Sequence, residues 1–396
     1  MHILPKQWNT AAHQLWISGQ KMPAIQQVLD EINQHSIKPV ELTLQLSYYL
    51  FLFGDRAAAA QVLQQGLLQH PEHLEMMRNL AVCLSLTQQH EQSIEVWQRY
   101  LKQQPNDYLV YDSLAANYAR LKQFAQAQAA GEQALLLKDQ QHGQPPEGWQ
   151  LPQGTPQQFL QRKAELTSVI SFSLWGDQPR YLRGAIDNAQ ASAYLYPDWQ
   201  IRFYVDESVP KALLDILLSY GANIIQQPME QSTRQKLAWR FLVANDAQVG
   251  RFLVRDVDSV LSLRERVAVE QWINSTQWFH LMRDWWTHTD LILAGMWGGI
   301  AGVLPDVSAM LQGYVSNSME TPNIDQWFLR DELWRYIKSS CYIHDRCYRS
   351  FNAQPWPSAT PIVPIHVGQD ESVGQTAAQL KRLSAWQDVA CLKWIK

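Results

Sequence analysis

Two aspartates, Asp256 and Asp258, stand directly after the apolar run Gly250-Arg251-Phe252-Leu253-Val254-Arg255. Carboxylates at i and i+2 of an extended chain project to the same side. Just past a buried strand, such a pair can hold one hard divalent cation that in turn grips a diphosphate. A capped turn uses the same residue types, so the weight of the pair comes from its place after the strand. This reading needs both side chains to face a cleft and not to be tied up in lasting contacts with neighbouring arginines. A second constellation is His280, Asp284 and His288, which on a helix would share one face and offer a metal site. The same stretch, from Trp278 to Met282, also reads as a buried strand, which would scatter them. The four cysteines form neither a disulfide framework nor zinc-ligand pairs, and Cys341 and Cys347 read as packed thiols. The chain has no Walker-type phosphate loop, nucleophile elbow or zinc finger, so a P-loop kinase or serine hydrolase is unsupported.

The elements that must position Asp256 and Asp258 alternate. Val169–Leu174, Gln200–Val205, Ala222–Ile225 and Gly250–Arg255 read as strands. Between them, Tyr181–Ala193, Pro210–Tyr220 and Ser232–Ala247 read as helices. Strands alternating with helices predict βαβ units and a largely parallel sheet. Ligands of such sheets bind at the carboxyl ends of the strands, where the two aspartates lie.

On these motifs, residues 166–396 resemble metal-dependent nucleotide-sugar glycosyltransferases of the GT-A fold, a Rossmann-like domain with a mixed, mostly parallel sheet. Downstream features follow the order of the glycogenin-type relatives: the Gly-centred run Leu293–Gly299, the pair Asp325-Gln326, and His344 in Cys341-Tyr342-Ile343-His344-Asp345. The resemblance implies that Asp256 and Asp258 bind Mn2+ or Mg2+ and so hold the diphosphate of a UDP-sugar. Ser171 to Trp175 would border the uracil and ribose. Arg180 and Arg240 would contact the pyrophosphate, since a guanidinium is a planar, always-charged fork. Arg283 with Asp284 would belong to the donor-sugar pocket, and Gly295 to Gly299 would let the backbone approach the sugar. Trp285, Trp286 and Trp297 would stack on a sugar or acceptor, with core packing as the alternative. Asp325, with Gln326 beside it, would face the reacting centre, although an aspartate there also suits a helix cap. For an inverting reaction Asp325 is the first choice of general base and Asp284 the second. The third metal ligand is His344 or His366, because His366-Val367-Gly368-Gln369 departs from the family's final His-x-x-Gly-x-x-Lys pattern.

The first half is periodic. A shift of 34 residues takes Ala81 to Ala115, Leu63 to Trp97, Pro71 to Pro105, and Ala59 through Ser93 to Ala127. Small residues at one pair of positions let antiparallel helices approach, and large apolar ones fill the groove between hairpins. With its closing proline, the pattern resembles the tetratricopeptide repeat. Units fall at roughly 40–71, 74–105 and 108–139, with a weaker one at about 6–37. Gly66 and Tyr100 depart from the small alanine usual there, and Asp139 replaces the last proline. The resemblance implies a curved stack whose concave face binds extended peptides or proteins; Tyr108, Tyr111, Asn117 and Arg120 are candidates for that face. A dimerisation arm is the alternative.

The run Asp139–Gly148, rich in Gly, Pro and Gln, reads as a linker, so the expected domains are 1–138, a linker at 139–164, and 165–396. The 396 residues include 46% apolar types, enough for real cores, and a net charge of −4, too balanced for bulk attraction to nucleic acid or an anionic membrane. The start lacks a signal-peptide core, and there is no transmembrane candidate. The expectation is a soluble, cytoplasmic glycosyltransferase whose repeats bind a protein or large glycan acceptor, or join copies of the chain. The alternatives are a repeat adaptor with an inactive GT-A-like domain, and a nucleotidyltransferase.

Overall fold

The computed structural model describes residues 8–163, 165–314, 323–357 and 366–369. The chain forms two compact units, Met1–Leu137 and Lys138–Lys396. The first is built from paired helices: α1 (Thr10–Ile17), α2 (Lys21–Ile32), α3 (Val40–Phe53), α4 (Arg56–Gln69), α5 (Leu74–Leu86), α6 (His90–Leu101), α7 (Tyr108–Arg120) and α8 (Phe124–His142), which runs on past Leu137. Asn9, Asp55 and Asp107 start α1, α4 and α7 by accepting backbone N–H groups with their side chains. Gly54 ends α3 at φ 99°, a left-handed conformation that suits glycine.

The 34-residue period is written into the packing. Ser47, Ala81 and Ala115 are buried, as are Ala59, Ser93 and Ala127, and Leu63 and Trp97 fill the groove beside them. The two departures from alanine have local causes. A Cβ on Gly66 would press on Thr43 Cγ2 at 2.9 Å and Met76 Sδ at 3.1 Å, so a side chain there would force these neighbours to shift. Tyr100 is buried, with its hydroxyl accepting from Arg78 at 2.8 Å and donating to Asp107 at 2.9 Å. Asn117 is no inner-face ligand. It is buried, donates to Ser93 Oγ at 3.0 Å and accepts from Ser85 at 2.7 Å.

The second unit is an α/β structure. Its described strands are β1 (Thr167–Leu174), β2 (Trp199–Val205), β3 (Asn223–Gln226), β4 (Val249–Arg255), β5 (Phe279–Arg283), β6 (Met296–Ile300) and β7 (Cys341–Asp345). They form one sheet in the order β3-β2-β1-β4-β6-β5-β7. β1, β2, β3 and β4 pair in parallel, as do β5 and β7, while β6 runs antiparallel to both β4 and β5. The central strands are buried on both faces, which is why they read as continuous apolar runs.

Before the sheet, residues 138–163 are ordered by packing within this unit. Trp149 meets the Tyr336 ring edge-on, and Thr155 starts α9 (Pro156–Gln161) with a capping box. The helix α10 (Pro179–Leu195) follows β1 and α11 (Lys211–Ser219) follows β2. The helix expected at Ser232–Ala247 is α12 (Thr233–Ala238) continued by a 3₁₀ segment, Trp239–Asn245. Beyond β4 come α13 (Leu263–Ile273), α14 (Val307–Gly313), α15 (Ile324–Phe328), a π-helical turn at Leu329–Leu333, and α16 (Trp334–Ile337). No described helix is long and apolar enough to cross a membrane.

Candidate functional site

In the order β3-β2-β1-β4, the chain proceeds outward from β1 to β2 and β3 and then returns to place β4 on the other side of β1. The loops leaving β1 and β4 therefore diverge, which opens a crevice at their carboxyl ends. A cavity of ≈ 580 Å³ lies there, lined among others by Ser173, Trp175, Arg180, Tyr181, Arg234, Arg240, Asp256 and Asp258. Both aspartates thus face a cleft, as the sequence reading requires.

Their loop is held from two sides. On α10, Gly184 leaves room for the carbonyl of Val257, which any side chain at that position would strike. One turn on, Asn188 donates from Nδ2 to Val257 O at 3.0 Å and Ser259 O at 3.2 Å, and its Oδ1 accepts Leu261 N–H at 3.0 Å. Gly295, just before β6, lies against the backbone and carboxylate of Asp256, where a Cβ would collide. The glycine is needed to make room for Asp256.

Against the other requirement, both aspartates are paired with arginine in the free protein. Arg180, in the first turn of α10, donates from Nε to Asp258 Oδ2 at 2.8 Å, and its Nη2 meets the same oxygen. Arg240 lies deeper, in the 3₁₀ segment. It forms an ion pair with Asp256, donates to Asp325 at 2.8 Å and reaches Arg255 O at 3.2 Å. Burial works to lower the pKa of Arg240, but the charges of Asp256 and Asp325 outweigh it and raise the value. Ser171 and Ser173 hold the Arg240 backbone: Ser171 Oγ donates to Arg240 O at 2.8 Å, and Ser173 Oγ accepts Arg240 N–H at 3.0 Å.

Several expected roles are corrected by position. Ser171 is wholly buried and braces Arg240. Asp325 is buried on Arg240 and is not a lining residue, whereas its neighbour Ile324 is. Burial raises the Asp325 pKa, with Asp256 adding and Arg240 opposing. Asn323 occupies the cap of α15, so Asp325 is not the cap either. Asp284 is fully buried against Arg264 at 2.9 Å and accepts Val367 N–H at 2.9 Å; burial raises its pKa. Arg283 donates to the carbonyls of Asp290 and Leu291, and Gln326 donates to the Asp290 carboxylate. Trp297 packs edge-on against Phe241 and Phe252 in the core. Gly298 faces the Phe252 carbonyl within the sheet.

The histidines scatter because Phe279–Arg283 is a strand. His280 and His344 form a buried pair, 2.9 Å between Nε2 and Nδ1, and His344 Nε2 lies 2.9 Å from Gln271 Oε1. Both imidazole nitrogens of His344 are occupied, and burial lowers its pKa to about 4. His366 stacks on Trp285 and meets His288 edge-on; Gly368, two residues on, lines the cavity. Neither His344 nor His366 joins the aspartates: among the described residues, no group of three or more His, Cys, Asp and Glu could hold a metal ion. Two hard carboxylates still suit Mg2+ or Mn2+, which typically take one or two protein carboxylates and complete their shell with waters and substrate phosphates.

Trp175 stands edge-on to Trp239, and Arg180 lies over the Tyr181 ring at 4.9 Å, so aromatic faces flank the charged groups. Sequence reasoning missed Thr233 and Arg234, which also line the cavity. The available signal was Ser232, whose capping box marks a helix start just after a strand.

Comparison with known proteins bears on the first unit. Residues 50–118 match the tetratricopeptide repeat family. Similar solved structures include a MamA fragment from Desulfovibrio magneticus RS-1, 20% identical over 32% of this chain and 72% of that one, with a TM-score of 0.30. A second MamA crystal structure is 17% identical over 33% and 76% of the two chains, TM-score 0.31. YrrB, described as a TPR protein with an unusual peptide-binding site, is 13% identical over 32% and 65%, TM-score 0.30. No curated protein matches.

Proposed function

We propose that the second unit is a divalent-cation-dependent glycosyltransferase acting on a nucleotide-diphosphate sugar, most simply a UDP-sugar. The repeats would recruit a protein or large glycan acceptor. The observation that carries the catalytic half is the placement of Asp256 and Asp258 together in a cavity at the carboxyl ends of β1 and β4. The mixed, mostly parallel sheet supports a Rossmann-like GT-A reading. The tetratricopeptide match supports the interaction half alone.

In this reading Asp256 and Asp258 hold the cation, Arg180 and Arg234 supply positive charge at the rim, and Trp175 and Tyr181 offer faces for a base. The bound cation offsets charge developing on the leaving diphosphate. The acceptor oxygen bonds to the anomeric carbon as the bond from that carbon to phosphate oxygen breaks, and the hydroxyl proton is released. No base is assigned, since Asp325 and Asp284 are buried on arginines.

The test is a panel of nucleotide sugars with Mn2+, read as free nucleotide released. Asp258→Ala should reduce release by about a hundredfold or more, as loss of a principal charge-stabilising group does. Release that is unchanged in this variant, or that persists in full with chelator, refutes the assignment. The second reading, an adaptor with a silent α/β unit, is favoured by the pairing of both aspartates with arginine and by the repeat match. It predicts no release from any donor.

A further inference from the structure

Three of the described arginines line the cavity, and they spend their charge differently. Arg180 pairs with Asp258, and Arg240 with Asp256 and Asp325. Arg234 has no carboxylate partner among the described residues. Its Nη2 donates to two backbone carbonyls, Leu311 O at 3.2 Å and Tyr314 O, and its guanidinium lies 4.8 Å from the centre of the Tyr314 ring. Carbonyl dipoles and an aromatic face orient a cation without cancelling its charge. The Nε–H and Nη1–H donors have no acceptor among the described residues. The position is fixed from both sides. Ser232 starts α12 with a capping box, and Lys236 pairs with the fully buried Asp206 at 2.6 Å, which ties the helix to the end of β2. Tyr314 is itself buried and donates its hydroxyl to Asp331 at 2.6 Å. Arg234 therefore meets a ligand already oriented, and less ordering entropy is lost for each bond formed.

Resting on the reading of this cavity as a donor site, we infer that Arg234 is its cation-independent phosphate contact. It takes a diphosphate oxygen through donors that no carboxylate claims, whereas Asp256 and Asp258 serve phosphates only through a metal. An anion that turned to Arg180 or Arg240 instead would share each guanidinium with a carboxylate, and like charge opposes that arrangement. A diphosphate therefore gains affinity in this cavity before any cation arrives.

Titration calorimetry on the full chain, in chelator, tests this with pyrophosphate, UDP and uridine. The unmodified chain should bind pyrophosphate, and should bind UDP about tenfold more tightly than uridine, as hydrogen bonds to a charged group provide. Arg234→Met should abolish pyrophosphate binding and bring UDP down to uridine, with uridine itself unchanged. Arg234→Lys keeps the charge but not the planar fork, and should retain roughly threefold of the difference. Melting curves check that both variants fold. A preference for UDP that survives in Arg234→Met, or is lost equally in both variants, overturns the phosphate role and leaves the donor site standing. Equal binding of UDP and uridine by the unmodified chain does the same. Pyrophosphate held through Arg234, with no binding of UDP or uridine, supports the contact and refutes the nucleotide-sugar reading. Binding of none of the three refutes the contact, and adding Mn2+ to the same samples then decides the donor site.

Discussion

Both units bury polar groups, but they use them differently. In the repeats, Asn117 gathers Ser85 and Ser93 into a neutral web that ties neighbouring helices together. In the α/β unit, Arg240, Asp256 and Asp325 form a charged chain that leads from the core into a cavity. A neutral web with its bonds made stabilises modestly. A buried charge cluster is poor value for stability alone, because desolvation offsets much of the attraction. Its position at the cavity lip is what the function proposed for this unit builds on.

The contrast can be broken most forcefully at Arg240. Arg240→Met leaves Asp325 buried without its ion-pair partner and should destabilise the second unit by about 3–5 kcal/mol. Denaturant unfolding followed by the fluorescence of tryptophans in that unit checks this. A change below 1 kcal/mol would mean that Asp325 readily finds another partner.

Acid should act next, and on the same unit. Burial holds the folded His344 near pKa 4, below its unfolded value of about 6.5. The unfolded chain therefore binds the extra proton first. Stability is intact above pH 6.5, is lost as pH falls, and stops falling on this account near pH 4. His280, also lowered by burial, adds in the same direction. Melting curves from pH 7 to 4 should show the decline, and His344→Gln should flatten it.

The smallest effect belongs to the repeats. Asn117→Ala should cost about 1–3 kcal/mol by leaving its partners unsatisfied, with no change in Mn2+ or UDP binding. An altered cation affinity would show that the neutral web and the charged chain are not independent.

Much of this was legible beforehand, for stated reasons. The 34-residue spacing survives in sequence because each hairpin buries the same face against the next, so Ala81 and Ala115 answer to one constraint. The four parallel strands were visible as apolar runs because both faces of the sheet are covered. Asp256 and Asp258 were found because a strand end is a local feature. Arg180 and Arg240 were grouped with them as phosphate contacts, and in the fold they pair with the aspartates themselves.

What failed were several side-chain placements set by contacts distant in sequence. His344 resembled a ligand in its motif, yet pairing between β5 and β7 delivers it to His280. Trp297 and Arg283 carried suitable side chains, but strand alternation aims Trp297 into the core, and Arg283 spends its donors on nearby carbonyls. By itself the sequence determined the repeat, the strands and the acidic pair, because periodicity and burial act over a few residues. Only the tertiary structure decided which charges meet, since an ion pair depends on the folded distance between groups that the chain separates by dozens of positions.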